Sequence, residues 1–134
     1  VKDAVVSYLK TNKYTSEIDI DYADTKSKGV CFTLWASYKN STLGMDKLGE
    51  QKLSSEKLGE TVAKQLLALL ETNAAVDPLA ADQLIPYLGM CGGTLTTTKI
   101  TNHTETNISI TEKFLDTEFV VEKKELCTVR ANKS

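Results

Sequence analysis

Apolar side chains recur at helical spacing along one long stretch of the chain. Between Leu58 and Leu70, leucines and a valine return every three or four residues, as on the buried side of an amphipathic helix. Either Ser54 or Ser55 can serve as the N-cap of this helix. The pattern therefore predicts a helix over Glu56–Thr72.

Weaker signals predict three further helices, the first from the apolar residues Val5, Val6 and Leu9 near the start of the chain. The pair Asp77-Pro78 is typical of an N-cap followed by proline at the first helical position, and Pro86 is expected to kink or end that helix. Asn102 is expected to cap another helix, with Glu105 in the capping-box position. The predicted bounds are 1–13, 78–84 and about 103–115.

Alternating and β-branched stretches predict the strands. Glu17–Tyr22 alternates acidic with apolar residues, which is typical of a strand with one wet face, and a hairpin-type loop, ADTKSKG, leads to the β-rich segment Val30–Tyr38. Gly89, Gly92 and Gly93 indicate a loop. Further strands are predicted around Thr42–Met45, Thr94–Ile100, Thr117–Glu122 and Cys127–Arg130.

Helices and strands together indicate an α+β fold. The chain has 134 residues, of which 41% are hydrophobic and 25% are charged, with a net charge of -2, as in an ordinary globular domain. No repeat of fixed period is visible. The strongest candidate for a boundary is 73–77, where one predicted helix ends and the next begins.

Compartment and covalent chemistry are constrained mainly by what the sequence lacks. No apolar run is long enough to cross a bilayer and no signal-peptide pattern opens the chain, so a cytoplasmic protein is expected. Cys31, Cys91 and Cys127 are widely spaced and odd in number, which disfavours a disulfide framework or a CxxC metal site. We expect them to be reduced and mostly buried.

The basic residues are unevenly distributed between the two types. Fifteen are lysines, and Arg130 is the single arginine. Planar, bidentate phosphate binding usually uses arginine. If phosphates are bound, most of the groups that bind them are expected to lie outside this chain.

His103 is the one unusual position that the residues alone single out. It falls at the start of a predicted helix, where free N–H groups and the helix dipole attract anions and favour a neutral, nucleophilic imidazole. A single histidine in an arbitrary chain is more often an exposed or capping residue without a chemical role.

The motif around His103 changes that weighting. The run NHTETNISITEKFL resembles the His-x-x-Thr-Asn-Ile element of RNA 3'-terminal phosphate cyclases, matching at His103, Thr106, Asn107 and Ile108. In that family the histidine takes AMP from ATP. The resemblance implies that His103 is the covalent nucleophile.

A second run, AADQLIPYLGMCGG, resembles the segment of the same family that contacts adenosine. It places Asp82 and Gln83 at the nucleoside-binding positions. Taken alone, these two residues are typical of a solvated helix face, although a carboxylate can accept from ribose hydroxyls and an amide can both donate and accept. Leu79 departs from the family, some of whose members have Tyr or His there.

Trp35, which alternates with apolar neighbours, is interpreted as a core residue rather than a base-stacking platform.

The resemblance implies an architecture as well as an activity. Residues 1–75 would form part of an inserted α/β subdomain, and residues 76–134 the last helix-and-strand repeat of the cyclase core. The whole protein would be a ligase-class enzyme that uses ATP and Mg²⁺ or Mn²⁺ to convert an RNA 3'-phosphate into a 2',3'-cyclic phosphate. Family members are longer, so the chain is expected to be a C-terminal portion that is inactive alone. An incomplete core would favour a homodimer of this fragment.

A different class of function stays open from the sequence. Some cyclase-like proteins are non-catalytic and act as RNA-binding or scaffold proteins in ribosome maturation. That branch lacks the histidine, whereas His103 stands in its expected motif here.

Overall fold

The computed structural model describes residues 2–133 and confirms the α+β class. Four helices and five strands lie within this range, with two small antiparallel sheets. In chain order the elements are α1 (Lys2–Thr11), β1 (Cys31–Ser37), β2 (Thr42–Leu48), α2 (Ser55–Glu71), α3 (Pro78–Cys91), β3 (Gly93–Thr97), α4 (Asn102–Phe114), β4 (Thr117–Lys123) and β5 (Cys127–Lys133).

The described chain divides into two compact units. Unit 1 contains the described residues up to Ala36 together with Gly44–Ala68, and unit 2 contains Ser37–Leu43 together with the described residues from Leu69 onward. The assignment of residues 1–75 to an inserted subdomain and of 76–134 to a catalytic core stays a prediction.

Unit 1 confirms the two helices that its apolar pattern predicts. In α1, Val5 and Leu9 are buried, and in α2 Leu58 and Val62 lie on the buried side. The hydroxyl of Ser54 accepts from the backbone N–H of Lys57 at 3.2 Å, which makes Ser54 the N-cap of α2.

The strand predicted at Glu17–Tyr22 is wrong. These residues form neither helix nor strand, and Ile20 and Tyr22 are 60% and 90% exposed. Alternation alone does not make a strand, because the backbone also needs a partner to pair with. Trp35 was also misplaced in the core: it is 63% exposed on β1, while its neighbour Leu34 is buried.

Unit 2 is built on a three-stranded sheet of order β3-β5-β4. Both outer strands run antiparallel to β5, with Leu95 of β3 and Val121 of β4 opposite Val129. The outer strands are therefore parallel to each other, and α4 connects them. One face of the sheet packs against α3 and α4, and Ala81, Ile85, Leu95 and Val129 form the buried centre.

Helix α3 begins where it was predicted to begin but ends later. The Asp77 carboxylate accepts from the N–H groups of Leu79 and Ala80 at 2.9 and 2.8 Å. The helix then continues through Pro86 to Cys91 instead of stopping at residue 84. Gly92, with φ 72°, provides the C-cap.

Gly89 lies inside α3 rather than in the predicted loop. It is buried, and a Cβ atom placed there would lie 2.5 Å from Thr111 Cγ2 and 3.3 Å from Leu115 and Phe119 side-chain atoms. The missing side chain is what allows α3 to approach α4 so closely. Gly92 and Gly93, both at positive φ, make the turn into β3.

The cap of α4 differs by one residue from the prediction. Thr101, not Asn102, is the N-cap: the Thr104 N–H donates to the Thr101 hydroxyl at 3.1 Å, and the Thr101 N–H donates to the Thr104 hydroxyl at 3.3 Å. Thr104 thus replaces Glu105 as the capping-box partner. The strand before this cap, β3, ends at Thr97 rather than at residue 100.

Two further predictions concern the burial of the cysteines and the absence of a membrane-spanning segment. All three cysteines are free, but only Cys127 is buried, so the expectation that they are mostly buried is wrong for Cys31 and Cys91. Within residues 2–133, no helix combines the length and apolar character needed to cross a membrane.

Gly89→Ala is expected to destabilise unit 2 by up to about 2 kcal/mol. Overpacking against Thr111 costs roughly 1–3 kcal/mol, and the better helix propensity of alanine returns about 1 kcal/mol. Thermal unfolding of the chain measures the loss. In a Thr111→Ser background, which removes the obstructing methyl group, the same substitution should cost less. An equal loss in both backgrounds would contradict the close-approach account.

Candidate functional site

Helix α3 carries two of the three residues that the sequence singles out. Asp82 is half-buried and directly follows Ala81, which is fully buried in the centre of unit 2. Gln83, one position on, is exposed. Successive helix positions are turned by about 100°, so the two side chains leave α3 in different directions.

His103 is exposed in the first turn of α4, at the second helical position. The Thr101–Thr104 capping box fixes the backbone of this turn. The first N–H groups of a helix have no carbonyl partner within it and carry the positive end of the helix dipole. An imidazole here stands beside donors that suit an anion such as phosphate.

Asn107 connects the two helices. Its side-chain amide, Nδ2, donates to the Asp82 backbone carbonyl at 3.3 Å and also to the Asp82 carboxylate oxygen Oδ1. Both residues are half-buried. The Asp82 side chain is therefore held toward α4, with one of its carboxylate oxygens engaged.

Pro86 explains why the Asp82 carbonyl accepts from another helix. In α3 that carbonyl would normally accept from the N–H of the residue four positions later, but that residue is Pro86 and has no N–H. Asn107 supplies the missing donor. This contact, together with the packing against Thr111, allows α3 to pass through the proline.

The helix directions bring His103 toward Asp82. Asp82 meets Asn107, and Gly89, farther along α3, meets Thr111, farther along α4, so the two helices run in parallel. His103 precedes Asn107 by four residues, which puts the two side chains on neighbouring positions of one helix face, about 5–6 Å apart at Cβ. His103 and Asp82 are thus placed on the same side of the helix pair, with Gln83 outside these contacts.

The sequence interpretation gave Asn107 no role beyond matching the motif. Two signals were available: Pro86 lies four residues after Asp82, and Asn107 lies four residues after His103. A proline at helix position i+4 frees a carbonyl, and an amide is a suitable donor for it. What the sequence does not give is the packing that brings α3 and α4 together.

Glu105, in the first turn of α4, is paired with a lysine of β4. Lys123 Nζ lies 2.8 Å from Glu105 Oε1, and this hydrogen bond, with the charge of the carboxylate, raises the pKa of Lys123 above its ordinary value. Arg130 lies elsewhere: Val129 and Ala131 on either side of it are buried toward the helices, so Arg130 faces the opposite side of the sheet. The single arginine does not reach the His103 side.

No complete metal site is formed by the residues that the structure describes. Between residues 2 and 133, no group of three His, Cys, Asp or Glu side chains is arranged to hold a metal ion. A shallow, open groove in unit 1 runs along α1 beside Glu60 and contains neither His103 nor Asp82. His103 and Gln83 are exposed and Asp82 is half-buried, so the candidate site lies at the surface of the α3–α4 contact.

Comparison with known proteins decides the family. The family model described as RNA 3'-terminal phosphate cyclase matches residues 6–121, which is most of the chain. The chain belongs to the RNA 3'-terminal phosphate cyclase family. The match to the cyclase model spans the whole of α3 and α4, and so includes Asp82, Gln83, His103 and Asn107.

Individual cyclases agree with the family match. A protein named RNA 3'-terminal phosphate cyclase from Methanosarcina barkeri is 41% identical over 124 residues, which are 92% of this chain and 36% of the relative. Those of Methanosarcina mazei and Pyrococcus furiosus are 39% and 33% identical over 84% and 95% of this chain, and 31% and 39% of their own length. The chain thus spans about a third of the length of these cyclases.

Thr101→Ala is expected to loosen the turn that carries His103. Losing an N-cap side chain typically costs about 1 kcal/mol, and here it also removes a partner of Thr104. Amide hydrogen exchange should become faster at Thr104 and Glu105, while Thr101→Ser, which keeps the hydroxyl, should stay close to the wild-type rate. Equal exchange in the alanine and serine variants would exclude Thr101 as the cap.

Proposed function

We propose that the whole protein is an active cyclase that converts an RNA 3'-phosphate into a 2',3'-cyclic phosphate using ATP, with His103 as the nucleophile. The observation that carries the proposal is the position of His103. It lies in the capped first turn of α4, one turn before the amide that contacts Asp82. Family membership supports the reaction class.

The first step transfers AMP to His103. A neutral ring nitrogen attacks the α-phosphorus of ATP, a P–N bond forms, and the bond from the α-phosphorus to the bridging oxygen of the β-phosphate breaks. Pyrophosphate leaves, and the imidazole loses its remaining proton to solvent. The N–H groups and dipole at the start of α4 stabilise the negative charge on the phosphoryl oxygens.

Two further displacements complete the reaction. An oxygen of the RNA 3'-phosphate attacks the adenylate phosphorus and the P–N bond breaks, while the ring takes a proton back from solvent, so that His103 is released as a neutral imidazole. The neighbouring 2'-hydroxyl then attacks the activated 3'-phosphorus, losing its proton, and AMP leaves as the ring closes. Dividing one difficult substitution into several easier steps is the advantage of covalent catalysis.

Asp82 and Gln83 are proposed to contact the adenosine. Asn107 occupies one carboxylate oxygen of Asp82, and the second oxygen retains lone pairs that can accept from ribose hydroxyls. Gln83 is exposed beside it and can donate and accept at once. Asp82, on the side of α3 that meets α4, would then hold the ribose near the imidazole, while Gln83, which leaves α3 in a different direction, would contact another part of the adenosine.

The residues of this chain do not by themselves fit the divalent metal that the family resemblance implies. The described residues include no suitable group of three ligands. We propose that Mg²⁺ or Mn²⁺ is held by the nucleotide phosphates together with groups outside this chain.

The chain alone is proposed to be inactive, although it contains the proposed nucleophile. It spans about a third of the length of its relatives, and its one arginine lies on the face of the sheet away from His103. We further propose that residues 1–75 are part of an inserted subdomain and that 76–134 complete a catalytic core.

Replacing His103 tests the nucleophile. The complete natural polypeptide that carries this chain should gain the mass of one adenylate on incubation with ATP and magnesium. His103→Ala should abolish that gain, because it removes the ring nitrogen that is proposed to attack the α-phosphorus. Ser109→Ala, an exposed control on the same helix, should keep it. Adenylation of the alanine variant would reject His103. The 134-residue chain alone should stay unmodified.

Asp82→Ala should weaken the use of ATP without unfolding the protein. A hydrogen bond to a charged group is worth roughly 1.5–3 kcal/mol, which corresponds to about 10- to 100-fold. We expect the KM for ATP in the cyclisation assay to rise by about that factor. An unchanged KM would remove Asp82 from the nucleotide site.

A further inference from the structure

The hydrogen bonds of Asn107 suggest a role that goes beyond holding two helices together. We propose that Asn107 is a positioning residue that orients the Asp82 carboxylate toward the ribose hydroxyls of the nucleotide and fixes its position relative to His103. This inference rests on the proposed function, because it requires Asp82 to contact the nucleoside. Asn107 itself touches neither substrate nor the reacting atoms.

The first argument is that Asn107 makes two bonds where one would satisfy the fold. Its amide donates to the Asp82 carbonyl, which Pro86 leaves without a partner inside α3. A half-buried carbonyl without a donor would cost stability, so this bond has a structural purpose. The second bond, to Oδ1 of the carboxylate, is not needed to satisfy that carbonyl. It restricts the rotation of the Asp82 side chain.

The second argument is chemical. A carboxylate that accepts from an amide on one oxygen presents the other oxygen in a defined direction. Fixing that direction before the nucleotide binds reduces the entropy lost on binding. It also helps to hold the α-phosphorus close to the ring nitrogen of His103. A freely rotating Asp82 would still attract a ribose hydroxyl but would distinguish less well between nucleotides that have it and those that lack it.

The third argument is the shared helix. His103 and Asn107 lie one turn apart on α4, so the contact that places Asn107 against Asp82 also fixes the position of the His103 backbone relative to the carboxylate. The orientation of the Asp82 side chain is thus fixed relative to α4, which carries His103, and not relative to α3 alone.

Pro86 provides a way to separate the two bonds. In Pro86→Ala the residue at 86 regains an N–H that can donate to the Asp82 carbonyl within α3. The double variant Pro86→Ala/Asn107→Ala therefore keeps the carbonyl satisfied but has no donor for Oδ1. Its thermal stability should be recovered relative to Asn107→Ala, while the orientation of the carboxylate is not.

The experiment measures the preference for ATP over 2'-deoxy-ATP and 3'-deoxy-ATP in the adenylation of the complete natural polypeptide. The wild type and Pro86→Ala should prefer ATP over at least one of the deoxy analogues. Asn107→Ala and the double variant should each lose about tenfold of that preference, the size expected for one hydrogen bond to a charged group. Should Asn107→Ala alone fail to fold, the double variant supplies the measurement.

Two results overturn the proposal, and they differ from failure of the proposed function. If the double variant regains both stability and preference, or if Asn107→Ala never loses the preference, Asn107 is only structural. In either case Asp82→Ala still losing the preference would leave the proposed function intact. If Asp82→Ala keeps the wild-type preference, the nucleoside assignment of Asp82 fails, and the role inferred for Asn107 fails with it.

Discussion

A missing backbone hydrogen determines how the second unit is held together. Pro86 takes an N–H out of α3, and the Asp82 carbonyl then needs a donor from outside the helix. Asn107 provides it, and Gly89, one helical turn beyond the proline, lets α4 approach closely enough for Thr111 to pack there. The hydrogen bond from Asn107 and the close packing at Gly89 thus stabilise the same contact between α3 and α4. The positions of Asp82 and His103 both follow from it.

The sheet under these helices makes the contact stable. Leu95 and Val129 of the sheet are buried against Ala81 and Ile85, so α3 packs directly on the sheet. Helix α4 packs against the same core through Ile108. The Thr101 cap then ends the loop after β3 and orients the first turn of α4. A proposed nucleophile on such a turn has little freedom in its backbone, although its side chain is exposed to solvent. That combination suits a group that must meet a nucleotide arriving from outside.

Local signals predicted much of this arrangement. Asp77-Pro78 started α3, the leucine spacing defined α2, and the strands after Thr117 were found because their β-branched residues have few alternatives. The sequence also singled out His103, Asp82 and Gln83, whose roles stay proposals. The N-cap of α4 was harder to predict, because Thr101 and Asn102 are both good caps. The hydrogen bonds between Thr101 and Thr104 decide between them.

Features that depend on distant partners were not predictable in the same way. The segment 17–22 has a strand-like alternation but forms no strand, and the carbonyl that Pro86 leaves free in α3 accepts from a residue of another helix. Asn107 was recognised as part of a motif but not as a contact of Asp82, since two helices must be packed before that contact exists.

The identity of the residue that carries the adenylate is the most direct test of the account. Trypsin cleavage after Lys99 and Lys113 releases residues 100–113, which contain the only histidine of the chain. After incubation of the complete natural polypeptide with ATP and magnesium, fragmentation mass spectrometry should place AMP on His103 in this peptide. AMP on a lysine, or on any peptide outside residues 100–113, would contradict the account.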